Sequence, residues 1–245
     1  MIEIDSTTGA VVLPSYNETQ SISKLLLELD IALPFHWNIV VVDDSLTNET
    51  QRIVLEAFGK ALRHPSKLHL MRNNNKSGRG AAVQRGISFC ISNLSPEFII
   101  EMDSDGSHTI DSVMRLVNTS KAHDFVIGSR YLESSEIVGW PIGRRIFSIL
   151  TNRVLKCIFK SQVSDWTNGL RRYSAQASII QLEHKFVNKG FICLSEQILI
   201  LRKKGIEPFE VPIVFVDRTH GMSTITHMEI LQSVRGIFGL YQKWH

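Results

Sequence analysis

Phe98-Ile99-Ile100-Glu101-Met102-Asp103-Ser104-Asp105-Gly106-Ser107-His108 is the stretch whose reading decides the fold. Its apolar run ends abruptly in two carboxylates separated by one small residue, the pattern of a buried strand closing on a polar turn. Open α/β sheets bind ligands outside the carboxyl ends of their strands, and Asp103 and Asp105 fall at such an end. Residues i and i+2 of an extended chain share a side, so the two carboxylates can hold one divalent cation. Hard oxygen donors suit Mg2+ or Mn2+, ions that commonly bridge to substrate phosphates. An isolated Asp-x-Asp is more often a solvated turn before a helix cap; the neighbouring strands shift that balance.

Upstream, Gly9-Ala10-Val11-Val12-Leu13 predicts a first strand stopped by Pro14. Thr19 is placed to cap a helix with Ile22, Leu25, Leu26 and Leu29 at helical spacing, closed by Pro34. Ile39-Val40-Val41-Val42 is wholly apolar, a strand buried on both faces, and it ends in Asp43 and Asp44. A helix opening at Thr47 or Asn48 follows, then a weaker strand from Leu68 to Met71, a polar glycine-bearing loop over 73–80 and a helix from Ala81. Downstream of the opening stretch, Asp111 to Val117 reads as helix and Phe125 to Ser129 as a strand ending at Arg130. Strand and helix thus alternate five times within about 130 residues, which predicts an α/β fold with a mostly parallel, doubly wound sheet flanked by helices.

Beyond Tyr131 the pattern changes. Gly139-Trp140-Pro141 breaks the chain, and Arg144 to Phe159 reads as a helix with a broad apolar face. A polar loop from Ser164 to Arg172 precedes helices over Ser174 to Val187 and Phe191 to Lys204. Phe209 to Val216 reads as a strand whose Pro212 marks a sheet edge. A glycine loop over 219–223 leads to a last helix, Thr226 to Trp244.

The chain's 245 residues, 43% hydrophobic and 21% charged, describe a folded globular protein. A net charge of +3 is too small to argue for nucleic acid, and it leaves room for a local basic patch facing phosphate or an anionic membrane. Cys90, Cys157 and Cys193 are far apart and read as reduced core thiols of a cytosolic protein. The first residues lack the basic and apolar regions of a signal peptide, and no run approaches the roughly 20 apolar residues that span a bilayer.

Three strand ends carry ligand-capable groups: Tyr16-Asn17-Glu18, Asp43-Asp44 and Asp103-Asp105. Parallel strands bring all three to one edge, and Arg130 ends a fourth strand there. Gathered carboxylates repel one another unless a cation or a ligand's donors intervene. One aspartate site is therefore expected to read a base or ribose while the other holds the metal on a diphosphate. Taken singly, Glu18 reads as a helix cap, and Asp43-Asp44 reads equally well as a cap or as a functional pair.

These segments, with Gly78-Arg79-Gly80-Ala81-Ala82, Gly128-Ser129-Arg130-Tyr131 and Asp165-Trp166-Thr167-Asn168-Gly169-Leu170-Arg171, occur in the order seen in family 2 glycosyltransferases. The tail, Glu210-Val211-Pro212-Ile213 through Asp217-Arg218 to Gly221-Met222-Ser223, resembles the subgroup typified by dolichyl-phosphate mannose synthase and related polyprenyl-phosphate glycosyltransferases. The resemblance implies a GT-A fold, a nucleoside-diphosphate sugar donor (GDP-mannose or a UDP-sugar), Mn2+ or Mg2+, and inversion at the anomeric carbon. It implies one domain over 1–245, with a nucleotide-sugar half at about 9–131 and an acceptor half at about 132–245. Carried over by position, Pro14, Tyr16, Asn17, Glu18, Val42 and Asp44 surround the nucleoside, and Asp103 and Asp105 hold the metal with Ser104 beside the ribose. Arg130 and Arg218 meet the phosphates, while Arg144 and Ser148 match positions that contact an acceptor phosphate.

Two departures stand out. Ser107 replaces a glutamine that completes the metal shell in prokaryotic relatives, and Ser223-Thr224 replaces the subgroup's Ser-Lys. The Gln-x-x-Arg-Trp motif of processive polysaccharide synthases is absent.

The acceptor decides whether a base is needed. A sugar hydroxyl must lose its proton, and Asp165 is the candidate base in that case. A lipid phosphate monoester, with a second pKa near ~6, is already anionic; a carboxylate at Asp165 then orients Arg144 or Arg171 instead. Arg144, Arg145, Arg153, Lys156 and Lys160 alternate with Ile146, Phe147, Ile149 and Leu150, a composition of interfacial helices or of a core helix with a basic outer face. In the last helix Met228, Leu231, Val234, Phe238, Tyr241 and Trp244 read as core, with Trp244 near a membrane surface. The expected partners are the sugar nucleotide, a polyprenyl phosphate and the cytosolic face of a membrane, with room for a membrane-spanning partner. A transferase acting on a saccharide or protein hydroxyl is the enzymatic alternative, and a degenerate transferase scaffold the non-enzymatic one. The glycine loop is a poor dinucleotide fingerprint, lacking its third glycine and not following the first strand.

Overall fold

In β1 (Gly9–Ser15) and β2 (Trp37–Asp43) almost every side chain is buried, because successive residues point to opposite faces and both faces are covered. Ala10 and Val12 pack with Val40, Val42 and Ile99 on one face, and Val11 and Leu13 with Ile39, Val41 and Ile100 on the other. Each of these Val, Leu and Ile side chains, withdrawn from water, contributes about 1.5–3 kcal/mol. The computed structural model describes residues 7–60, 62–64, 67–73, 76–184, 186, 192–217 and 227–244.

The main sheet has seven strands in the order β3-β2-β1-β4-β7-β5-β8. Here β3 is Leu68–Arg72, β4 Phe98–Glu101, β5 Phe125–Ser129, β7 Arg171–Ser174 and β8 Phe209–Pro212. A two-stranded ribbon pairs β6 (Glu136–Val138) with β9 (Val214–Val216). All strands of the main sheet run parallel except β7, which lies antiparallel between β4 and β5. The chain leaves β1 toward β2 and β3 and returns to its other side as β4, so the switch point lies between β1 and β4. The α/β reading and the mostly parallel sheet therefore hold.

The helices are α1 (Ile22–Ala32), α2 (Glu49–Lys60), α3 (Arg79–Phe89), α4 (Ile110–Val117), α5 (Ile142–Ile158), α6 (Ala175–Leu182), α7 (Ile192–Lys203) and α8 (His227–Trp244). Residues of α1, α2 and α4 cover one face of the sheet and residues of α3 the other. Residues from α5, α6, α7 and α8 form a separate cluster with Phe125, Ile127, Trp166 and Tyr173.

Several expectations are corrected. Thr19 does not cap α1; the helix starts at Ile22 behind Ser21. Ser174 caps a shorter helix than expected, accepting from the Ala177 amide. Part of the expected polar loop is strand β7: Arg171 and Arg172 are buried, and the terminal guanidinium nitrogens of Arg172 donate to the carbonyls of Leu116, Ser120 and His123. The expected strand over 209–216 divides after Pro212, which has no amide hydrogen to donate. Its first part forms the sheet edge and its second pairs with β6. Cys90 and Cys193 are buried, but Cys157 is exposed. On α8, Ile237, Leu240 and Trp244 pack inward, whereas Val234, Phe238 and Tyr241 face solvent. The expectation for Arg218 and the glycine loop after it lies outside the described residues.

Candidate active site

The switch point is tied together by short polar contacts. Ser104 Oγ donates to the Pro14 carbonyl at 2.8 Å, joining the end of β4 to the end of β1. Ser21 Oγ lies 2.9 Å from Glu18 Oε2 and 3.0 Å from the Ser104 carbonyl. Asn17 adopts a left-handed backbone (φ 58°), and its amide donates to Ser45 Oγ at 2.8 Å. Tyr16 stands at the surface with Lys76 Nζ 3.9 Å from its ring centre. Thus Pro14, Tyr16, Asn17, Glu18 and Ser104 share one neighbourhood at the carboxyl ends of β1 and β4. Val42 does not join it: its side chain is fully buried with Val12, Ala82 and Val83, because β2 is a central strand covered on both faces.

Asp44 is already engaged. Its carboxylate accepts from Asn73 Nδ2 at 2.6 Å, the Ser77 amide at 2.9 Å and the Gly78 amide at 2.8 Å. The aspartate therefore folds the glycine loop over the sheet edge. Gly78 takes a left-handed φ of 87°, which a side chain would resist, and α3 starts directly after it.

That loop delivers Arg79 to the metal-ligand candidates. Arg79 Nε donates to Asp103 Oδ1 at 2.7 Å and Nη2 donates to the Gly169 carbonyl at 3.2 Å. A methyl group on Gly169 would collide with Arg79 Nη2 and sit 3.0 Å from Asp103 Oδ2. Burial works against the charge on Asp103, but the Arg79 guanidinium outweighs it and holds the carboxyl far below the usual carboxylate range. Arg79 is raised in turn, Asp103 and Glu101 prevailing over its burial. Asp105 accepts from the Ser107 amide at 3.0 Å.

Mg2+ and Mn2+ usually take one or two carboxylates plus water and substrate phosphate, not an all-protein cage. Among the described residues no three His, Cys, Asp or Glu side chains form such a cage. Asp103 and Asp105 fit that habit. Beside them, among the described residues, the buried Ser107 Oγ has no hydrogen-bond partner, and His108 Nε2, equally unbonded there, lies 3.7 Å from Asp103 Oδ2.

Arg130 begins the second part of the site. Asp165 Oδ2 accepts from the Arg130 amide at 3.0 Å and from Nε at 2.7 Å, and Oδ1 accepts from Nη2 at 2.8 Å. Asp165 Oδ1 also accepts from the amides of Thr167 and Asn168. The carboxylate is fully buried; burial opposes its charge, and Arg130 prevails and holds it below the usual range. Asp165 is thus a poor proton acceptor, and it orients Arg130, not the expected Arg144 or Arg171. Arg171 is buried and donates to Asn168 O, Trp166 O and Gln197 Oε1.

Trp140 sits between two guanidiniums, with Arg130 5.1 Å and Arg144 4.1 Å from its ring centre. Arg144 Nη1 donates to Asp217 Oδ1 at 2.7 Å. Tyr131 Oη donates to Ser148 Oγ at 2.6 Å. The structure therefore brings Arg130, Arg144 and Ser148 into one neighbourhood and adds Trp140, Tyr131 and Asp217. Arg79 is the site residue that the sequence reading passed over; a cation inside the glycine loop that follows β3 was its signal.

The sheet order, strand-end carboxylates and crossover helices define an α/β protein of the GT-A type. The chain belongs to glycosyl transferase family 2, whose family model matches residues 10–181, and it is a glycosyltransferase. Polyprenol monophosphomannose synthase of Mycolicibacterium smegmatis is 28% identical over 226 residues, spanning 91% of this chain and 83% of its own length. Undecaprenyl-phosphate mannosyltransferase of Micrococcus luteus is 29% identical over 236 residues, spanning 95% and 94%. Among solved structures, Mycobacterium tuberculosis glucosyl-3-phosphoglycerate synthase with Mn2+, UDP and glucosyl-3-phosphoglycerate superimposes with a TM-score of 0.65 at 14% identity, covering 98% of this chain and 80% of that one. That protein with Mg2+ and UDP gives a TM-score of 0.63 at 13% identity, with coverage of 98% and 80%.

Proposed function

We propose that this chain transfers a sugar, with inversion, from a nucleoside-diphosphate donor to a polyprenyl phosphate. The observation that carries the reading is the state of Asp165, the base candidate that the sequence offered on the acceptor side, which is buried and consumed by Arg130. A hydroxyl acceptor needs a base; an ionised phosphate needs only to be held. The names of the two relatives supply the acceptor class and favour mannose, so GDP-mannose is the first donor to test and UDP-sugars the second.

In this reading Pro14, Tyr16, Asn17, Glu18 and Ser104 line the nucleoside crevice, with Asp44 shaping it through the glycine loop. Asp103 and Asp105 would hold Mn2+ or Mg2+. The metal, when bound, acts as a Lewis acid that neutralises charge on the departing diphosphate. Arg130, fixed by Asp165, adds charge-assisted hydrogen bonds there, joined by Arg218. Arg144, Ser148 and Tyr131 hold the acceptor phosphate. One phosphate oxygen forms the new bond to the anomeric carbon while the bond to the nucleoside diphosphate breaks, its electron pair leaving with the diphosphate.

The lipid is served by α5, whose Ile142, Ile146, Leu150 and Val154 form an exposed stripe at four-residue spacing beside Arg145 and Arg153. No helix among the described residues is long and apolar enough to cross a membrane. A peripheral position at the cytosolic face, alone or beside a membrane-spanning partner, suits this surface. The test is incubation with Mn2+ and a panel of sugar nucleotides, with and without polyprenyl phosphate. Transfer that depends on the lipid phosphate is expected; donor hydrolysis or transfer to saccharides without it would sink the reading.

A further inference from the structure

At the floor of the site two polar atoms face each other without bonding. Arg79 Nη1 and Glu101 Oε2 lie 3.9 Å apart, beyond hydrogen-bond range, and neither has a hydrogen-bond partner among the described residues. The Glu101 side chain is fully buried and that of Arg79 is 18% exposed. Unbonded buried atoms of charged groups are costly, so a pair of them at this separation needs a reason.

Every other contact of the two groups is in place. Arg79 holds Asp103 through Nε and the Gly169 carbonyl through Nη2. Glu101 Oε1 accepts from Tyr173 Oη at 2.9 Å, which fixes the carboxylate and leaves Oε2 toward Arg79. Tyr173 stays protonated for this task, because burial, and then the neighbouring Glu101, push its phenol well above the ordinary value. The missing side chain at Gly169 leaves the guanidinium space that any larger residue would fill.

We infer that Arg79 is a movable counter-ion with two seats, Asp103 when no divalent cation is present and Glu101 when one occupies the site. The inference rests on the reading of Asp103 as a metal ligand. A cation at Asp103 competes with Arg79 for Oδ1 and repels the guanidinium. Glu101 Oε2 is the unfilled acceptor, about 1 Å beyond ordinary hydrogen-bond reach. A displacement of that size satisfies both orphaned atoms, so the cost of opening Asp103 is offset within the same cluster. Arg79 is thus a positioning residue: it keeps Asp103 ionised and ordered in the empty site and retreats without leaving its own charge unpaired.

The readout is Mn2+ affinity of the full chain without nucleotide, from the electron paramagnetic resonance signal of free Mn2+. Arg79→Gln removes the competitor and is expected to bind Mn2+ about tenfold more tightly, while Glu101→Gln removes the second seat and is expected to bind it about tenfold more weakly. A merely structural role would weaken binding in both variants. Unchanged or weaker binding in Arg79→Gln, or unchanged binding in Glu101→Gln, overturns the inference. A second measurement needs no disruptive variant: with 15N-labelled arginine, Mg2+ is expected to shift the Arg79 Nε–H resonance of the wild type, and an unmoved resonance also overturns it. Wild-type protein that binds no Mn2+ even with GDP or UDP would fell the metal reading and this inference together; bound Mn2+ without the opposed variant effects fells this inference alone.

Discussion

The two ends of the sheet's carboxyl edge treat charge in opposite ways. Below β1, β2 and β4 the carboxylates are wrapped in donors: Asp44 by the glycine loop, Asp103 by Arg79. Beyond β5 the cations are wrapped instead, Arg130 by Asp165 and aromatic rings, and Arg144 by Asp217 and Trp140. Exposed apolar side chains occur in both regions, but in the second Ile142, Ile146 and Leu150 line up at four-residue spacing on one helix, whereas in the first Ile31, Phe35, Leu46 and Leu55 are scattered over separate segments. Under the proposed function the first region receives a cation with a nucleotide, for which it holds carboxylates, and the second receives an anion on a lipid, for which it holds guanidiniums beside an apolar approach.

The contrast breaks most completely at Asp105. Asp105→Ala is expected to lower turnover by about 10³-fold or more, since a metal's charge stabilisation amounts to several kcal/mol. The fold should persist, because Asp105 is partly exposed; a variant of full activity, measured by radiolabelled sugar transfer, contradicts the metal assignment. Asp165→Ala is expected to destabilise by about 3–5 kcal/mol, because it leaves the buried Arg130 without its counter-charge. Urea denaturation measures this, and a change below about 1 kcal/mol would show that the pair does not hold this region together.

The same pair gives a pH signature. The Asp165 carboxyl is depressed in the folded state, so its stabilising contribution is fully present above the unfolded value near ~4 and fades as pH falls through the lower folded value. The melting-temperature gap between wild type and Asp165→Asn should be constant from about pH 7 to 5 and shrink below about 4. A gap that instead widens in acid refutes the assignment.

On the acceptor side, Arg144→Ala should raise KM for the lipid phosphate by about 10- to 100-fold, the worth of one charge-assisted contact, with KM for the sugar nucleotide nearly unchanged. Equal effects on both substrates would erase the division between the two regions. The smallest effect is expected for Ile146→Ser with Leu150→Ser: a few-fold loss of binding to anionic vesicles at stability within about 0.5 kcal/mol per site. Sedimentation with vesicles checks it, and unaltered binding removes α5 as the lipid face.

Much of this was legible in the sequence where one physical term dominates. Runs such as Ile39 to Val42 have only one way to be buried, and Asp103 and Asp105 sit at a strand end whatever surrounds them. Strand β7 was not legible, because Arg171-Arg172-Tyr173-Ser174 carries no apolar pattern; its guanidiniums enter the core with acceptors that include carbonyls of the distant Leu116, Ser120 and Leu194. Asp165 resembled a base for the same reason, its partner Arg130 lying 35 residues away. The face of α8 was misjudged because Val234, Phe238 and Tyr241 keep helical spacing as faithfully as Ile237, Leu240 and Trp244 do, and periodicity does not say which stripe meets the core.

Under the proposed function this site takes an acceptor that is already charged. The direct test offers the enzyme, with Mn2+ and its sugar nucleotide, a polyprenyl phosphate and the polyprenol of the same length. Sugar transfer to the phosphate and none to the alcohol is predicted. Comparable transfer to the alcohol would mean that a base operates at the acceptor side, and would contradict the role assigned to Asp165.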